Sequence, residues 1–93
     1  MSYIVEILVA SKDLKKIPEH VITKLQAWVN DVEDRGLPEV KKIPGYHDEP
    51  VKGKERRGQR SIRLSKAYRA FYIVKANGTI TIVKVIEVNK HVY

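Results

Sequence analysis

The chain has 93 residues, 43% hydrophobic and 31% charged, a globular composition with room for one core and so for a single domain over residues 1–93. It contains no cysteine, which excludes disulfides and thiolate metal sites and fits a reducing cytoplasm. Its formal net charge is +7, and no run approaches the roughly 18 apolar residues of a membrane helix, so no membrane partner is expected.

"SYIVEILVA", from Ser2 to Ala10, is rich in β-branched residues and predicts a first strand. It does not resemble a signal peptide, because no basic region precedes it and Glu6 interrupts it. Ser11 is placed to cap a short helix through Leu14 and Ile17, with Asp13 in its first turn. Pro18 suits the first turn of a second helix, where Val21, Leu25, Trp28 and Val32 recur at spacings of three and four. That stripe makes Trp28 a core residue. Gly36 is a natural stop and Pro38 opposes continuation.

Residues 37–58 hold three of the four prolines and three of the five glycines and read as one long connection. "QRSIRLS", "YRAFYIVKA" and "TITIVKVIEV" follow as strands, with Asn77-Gly78 as the hairpin turn between the last two. The expected fold is α+β: β-α-α-β-β-β, two N-terminal helices on one face of an antiparallel-rich sheet. With two-residue turns at Lys66-Ala67 and Asn77-Gly78, alternation assigns Ser61, Arg63, Tyr68, Tyr72, Val83, Glu87, His91 and Tyr93 to one surface. Ile62, Leu64, Phe71, Ile73, Ile82, Ile86 and Val88 then form the core surface. The same count turns Arg69 toward the core, away from His91, unless the link near Lys66-Ala67 is longer or bulged, which is the arrangement favoured here.

The charge is localised. Residues 41–69 carry ten Lys/Arg against three acids, and the rest of the chain is neutral overall. Such concentration of like charge points to a polyanionic partner, a nucleic acid, with Lys52, Lys54, Arg56, Arg57 and Arg60 as its phosphate contacts. Phosphate-binding glycine loops, HExxH and His/Asp clusters at metal spacing are absent, so no metal or cofactor is expected. Asp48 and Glu49 point apart in an extended chain and make a poor acid/base pair, and Ser61 has no evident base. A carboxylate, several cations and a histidine remain, a set sufficient for metal-free RNA cleavage by a ribose 2′-hydroxyl.

"HDEPVKG", "QRSIRLSKAYRAFY" and the terminal "EVNKHVY" resemble the RelE/ParE toxin superfamily, especially its HigB/RelE-like branch with a YoeB-like site. "KDLKKIP" followed by a Trp-containing helix is similar to the N-terminal half of that family. The resemblance implies a RelE-like fold and a type II toxin that cleaves mRNA on the ribosome and is silenced by a cognate antitoxin. It implies Glu49 as general base, Arg63 and Arg69 at the scissile phosphate, His91 as acid and Tyr93 as the base-stacking ring. The antitoxin, the ribosome and mRNA are the implied partners. Two other readings stay open: a ParE-type gyrase poison without RNase activity, and a non-catalytic basic nucleic-acid-binding domain.

Overall fold

A computed structural model describes residues 2–90. A mixed five-stranded sheet has the order β1-β5-β4-β3-β2. The strands are β1 (Ser2–Ile7), β2 (Glu49–Pro50), β3 (Arg60–Arg63), β4 (Tyr68–Asn77) and β5 (Ile80–Lys90). β1 runs parallel to β5, and the other neighbours are antiparallel. The helices are α1 (Ser11–Leu14), α2 (Glu19–Arg35) and α3 (Leu37–Val40). The α+β arrangement with helices on one sheet face is therefore the expected one. No helix among the described residues is long and apolar enough to cross a membrane.

α2 forms where the stripe predicts it. Val21, Leu25, Trp28 and Val32 are its buried residues, and Glu19 and Arg35 complement the helix dipole at its two ends. The Trp28 ring packs on Tyr72 of β4 at 5.2 Å between centroids. Gly36 ends the helix at φ +88, beneath the Tyr3 ring.

Several local expectations are corrected. Ala10, not Ser11, precedes the first turn of α1, and no side chain caps it. Residues 37–58 are not one irregular connection. Pro38 opens α3, because a proline at a first helical turn gives up no needed amide. Two 3-10 turns, Pro44–Tyr46 and Lys54–Arg56, flank the short strand β2. The β4–β5 turn is Gly78-Thr79 rather than Asn77-Gly78: Asn77 pairs with Ile80, and Gly78 takes φ +65.

The larger correction concerns the two sheet surfaces. Leu64 N donates to Tyr68 O, so Ser65, Lys66 and Ala67 form a link one residue longer than a two-residue turn. A one-residue slip exchanges every side chain of the following strand between faces. Ala70 and Tyr72 are consequently fully buried against the helices, with Val83 and Val85 beside them. Phe71, Ile73 and Ile82 fall on the opposite surface, and Tyr68 packs against the core. A bulge at Phe71/Tyr72 leaves Ile86 without a partner in the register and restores the alternation. Val88 is therefore core and Glu87 faces outward, as expected.

Candidate active site

Tyr46, His47, Asp48 and Glu49 lead into β2 with alternating fates. Tyr46 is buried and donates its hydroxyl to Asp31 Oδ2 at 2.8 Å. Burial, reinforced by that hydrogen bond, pushes the Tyr46 phenol up to about 12. The Asp48 side chain is fully buried, accepting from Tyr72 Oη (2.5 Å) and Arg60 Nε (2.7 Å). Burial, then Asp48, push the Tyr72 phenol up as well. His47 and Glu49 stand between and beside these anchors, half exposed.

The pairing places Glu49 opposite Ser61, Ser61 opposite Phe71 and Phe71 opposite Glu87, one row across four strands. Arg63 lies opposite Arg69 in the next row of the same surface. Two guanidinium-bearing side chains directly opposite one another destabilise a bare sheet, so this row is suited to an anion. Arg69 Nη1 donates to Glu49 Oε1 and to Ser61 Oγ, both at 3.0 Å. His47 Nε2 lies 3.4 Å from the other carboxylate oxygen, Oε2. The hydrogen bond from Arg69 holds the Glu49 carboxyl below its ordinary range against some desolvation, and the charges of Arg69, His47 and Arg63 act in the same sense.

A cleft of about 520 Å³ opens beside Glu49 and Arg69, with Ser61, Phe71, Lys52 and Arg56 among its walls. Arg56 lies over the Phe71 ring at 4.4 Å and donates to Glu87 Oε2 at 3.0 Å. Glu87 Oε2 also accepts from Asn89. Lys52, Lys54, Arg57 and Arg63 are exposed. Arg60 is tied to Asp48 and belongs to the buried network, so its charge is already neutralised.

Of the residues expected in a catalytic set, Glu49, Arg63 and Arg69 are thus brought together on one surface, and Lys52 and Arg56 border the same cleft. Arg69 faces Glu49 rather than the core because of the three-residue link, the alternative favoured on the sequence. His91 and Tyr93 lie outside the described residues. Sequence reasoning missed His47, the Asp48–Tyr72–Arg60 anchor and the Phe71 wall. The residue order Tyr46, His47, Asp48 and Glu49 does not announce the first two, because His47 takes a left-handed backbone there.

No family model and no curated protein matches the sequence. Solved structures do. A YoeB/ParE toxin from Agrobacterium tumefaciens superposes with TM-score 0.64 at 20% identity, over 99% of this chain and 100% of that one. The chain shares the fold of that toxin. A chain of the RelBE2 toxin–antitoxin complex from Mycobacterium tuberculosis gives 0.62 at 18% identity, covering 98% of this chain and 100% of its own. One from the E. coli DinJ–YafQ toxin–antitoxin complex gives 0.65 at 19%, covering 98% and 94%.

Proposed function

We propose that this RelE-like fold is the toxin of a toxin–antitoxin pair and a metal-independent endoribonuclease that cleaves mRNA on the ribosome. The observation that carries the reading is the clamp of Glu49 by Arg69, with Arg63 abreast of Arg69, at the mouth of a cation-walled cleft. A phosphodiester laid across the row meets the two guanidinium groups, which stabilise negative charge developing on phosphorus. Glu49, kept ionised by Arg69, accepts the proton of the 2′-hydroxyl as O2′ attacks. His91 protonates the leaving 5′-oxygen and Tyr93 stacks on a base, roles carried over from the sequence resemblance. Lys52, Lys54 and Arg57 supply phosphate and ribosomal-RNA contacts, Arg56 being held by Glu87, and an acidic antitoxin segment covers the same basic surface. The antitoxins named with the RelBE2 and DinJ–YafQ structures support a partner of that kind.

Pulse labelling after induction tests the reading. Protein synthesis should stop first, and co-expression of an antitoxin encoded beside the gene should restore growth. A halt of DNA synthesis ahead of protein synthesis, with gyrase-dependent breaks, would instead identify a gyrase poison. Inhibition of neither would leave a non-catalytic binding domain.

A further inference from the structure

We propose that His47 and Glu49 act as one proton acceptor, Glu49 taking the proton at the cleft and His47 receiving it from the carboxylate. The proposal rests on the ribonuclease reading above and adds a residue to it. His47 is not an incidental loop side chain. Its backbone adopts φ 47 and ψ 51, a left-handed conformation uncommon outside glycine. It is fixed there from both sides, by the Tyr46 hydroxyl on Asp31 and by Asp48 on Tyr72 and Arg60. Strain held by anchored neighbours is a feature of functional sites. Here it sets the imidazole Nε2 3.4 Å from Glu49 Oε2, while Arg69 occupies Oε1.

The chemistry explains the need for a second acceptor. A carboxylate fixed by an arginine is a poor resting place for a proton. Imidazole outranks a free glutamate as an acceptor by about two pKa units, and Arg69 widens that difference from the glutamate side. In the step, the O2′–H bond breaks and O2′ bonds to phosphorus. The P–O5′ bond breaks, and O5′ takes a proton from the site's acid. The 2′ proton passes through Glu49 to His47, leaving an imidazolium beside a carboxylate. The charged groups bearing on the pair are Arg69 from β4 and Arg63 from β3, both acting on Glu49. Asp48, adjacent in the chain, is turned inward onto Arg60. The step requires His47 to be neutral at the outset, so turnover should fall when acid protonates the imidazole.

Two variants and two readouts test this. His47→Asn is the informative change, because asparagine tolerates the left-handed backbone. Single-turnover cleavage of ribosome-bound mRNA is followed against pH, and the His47 ring resonances are followed by NMR in the free protein. Glu49→Gln should shift the His47 ring resonances at fixed pH, because it removes the carboxylate 3.4 Å from Nε2. His47→Asn should reduce the cleavage rate on the order of tenfold to a hundredfold, with KM little changed. It should also move the acid limb of the profile to lower pH, because Glu49, held below its ordinary range by Arg69, then sets that limb alone. His47 ring resonances unmoved by Glu49→Gln, or superimposable wild-type and His47→Asn profiles, would overturn the proposal. His47 resonances that respond to Glu49→Gln in a protein that cleaves no RNA would refute the ribonuclease reading and the acceptor role with it, while leaving the ion pair itself intact.

Discussion

Asp48 and Glu49 share a charge and a peptide bond but have opposite roles. Asp48 is buried and stabilises the fold, with Tyr72 and Arg60 as its partners; Glu49 stands at the cleft with Arg69. Asp48→Ala leaves a buried phenol and a guanidinium without their acceptor, and should cost about 3–5 kcal/mol in denaturant unfolding. Tyr72→Phe removes one donor and keeps the ring against Trp28, so about 2 kcal/mol is expected. Equal losses in the two variants would show that the network does not centre on Asp48. Glu49→Gln should behave differently, slowing cleavage by roughly 10²–10⁴-fold with stability and ribosome binding nearly unchanged. The carboxylate, the arginines and the basic loop were legible in the sequence because charge needs no structure to be counted. His47 was not, since its pairing depends on a left-handed turn that the residues around it do not announce.

At the scale of elements, a single residue in the β3–β4 link decided which side of β4 faced the helices. The helical stripe of α2 is a periodicity fixed by geometry within one segment, so Val21, Leu25, Trp28 and Val32 could be placed from spacing alone. Strand faces are relative: each depends on the length of the preceding turn, and Ser65–Ala67 adds one residue to it. Phe71 was therefore expected in the core and Tyr72 outside, the reverse of the fold. The helix ends carry their own test. A Cβ on Gly36 would sit 3.0 Å from the Tyr3 ring, at a φ that L-residues avoid. Gly36→Ala should destabilise the protein by about 1–2 kcal/mol, measured by chemical denaturation. An unchanged midpoint would mean that the α2–α3 junction relaxes freely. Alkaline pH should loosen the segment before β2. The Tyr46 phenol is raised in the fold, so its contribution is complete below about pH 10 and is lost as pH rises toward about 12. Tyr46→Phe should flatten the stability profile over that interval.

Across the whole molecule, the excess charge of residues 41–69 is divided between structure and surface. Arg60 is committed to Asp48, Arg69 to Glu49 and Arg56 to Glu87, whereas Lys52, Lys54, Arg57 and Arg63 remain exposed. Neutralising Lys54 and Arg57 should lower the slope of log affinity for ribosomes against log salt by about one unit for each lost phosphate contact. An unchanged slope would make them solvated loop residues only. The fold also explains why the cationic surface stays open. The helices cover the face bearing Tyr72, Val83 and Val85, and the row from Glu49 to Glu87 lies on the other face, where the cleft opens beside Glu49 and Arg69. If Glu49, Arg69 and Arg63 assemble the site of a 2′-hydroxyl attack, the ends of the RNA fragments record it. Cleavage of ribosome-bound mRNA in excess chelator should yield 2′,3′-cyclic phosphate and 5′-hydroxyl ends, and Glu49→Gln/Arg69→Ala should abolish them. Fragments ending in a 3′-hydroxyl, or full cleavage by that double variant, would rule out 2′-hydroxyl attack at this site.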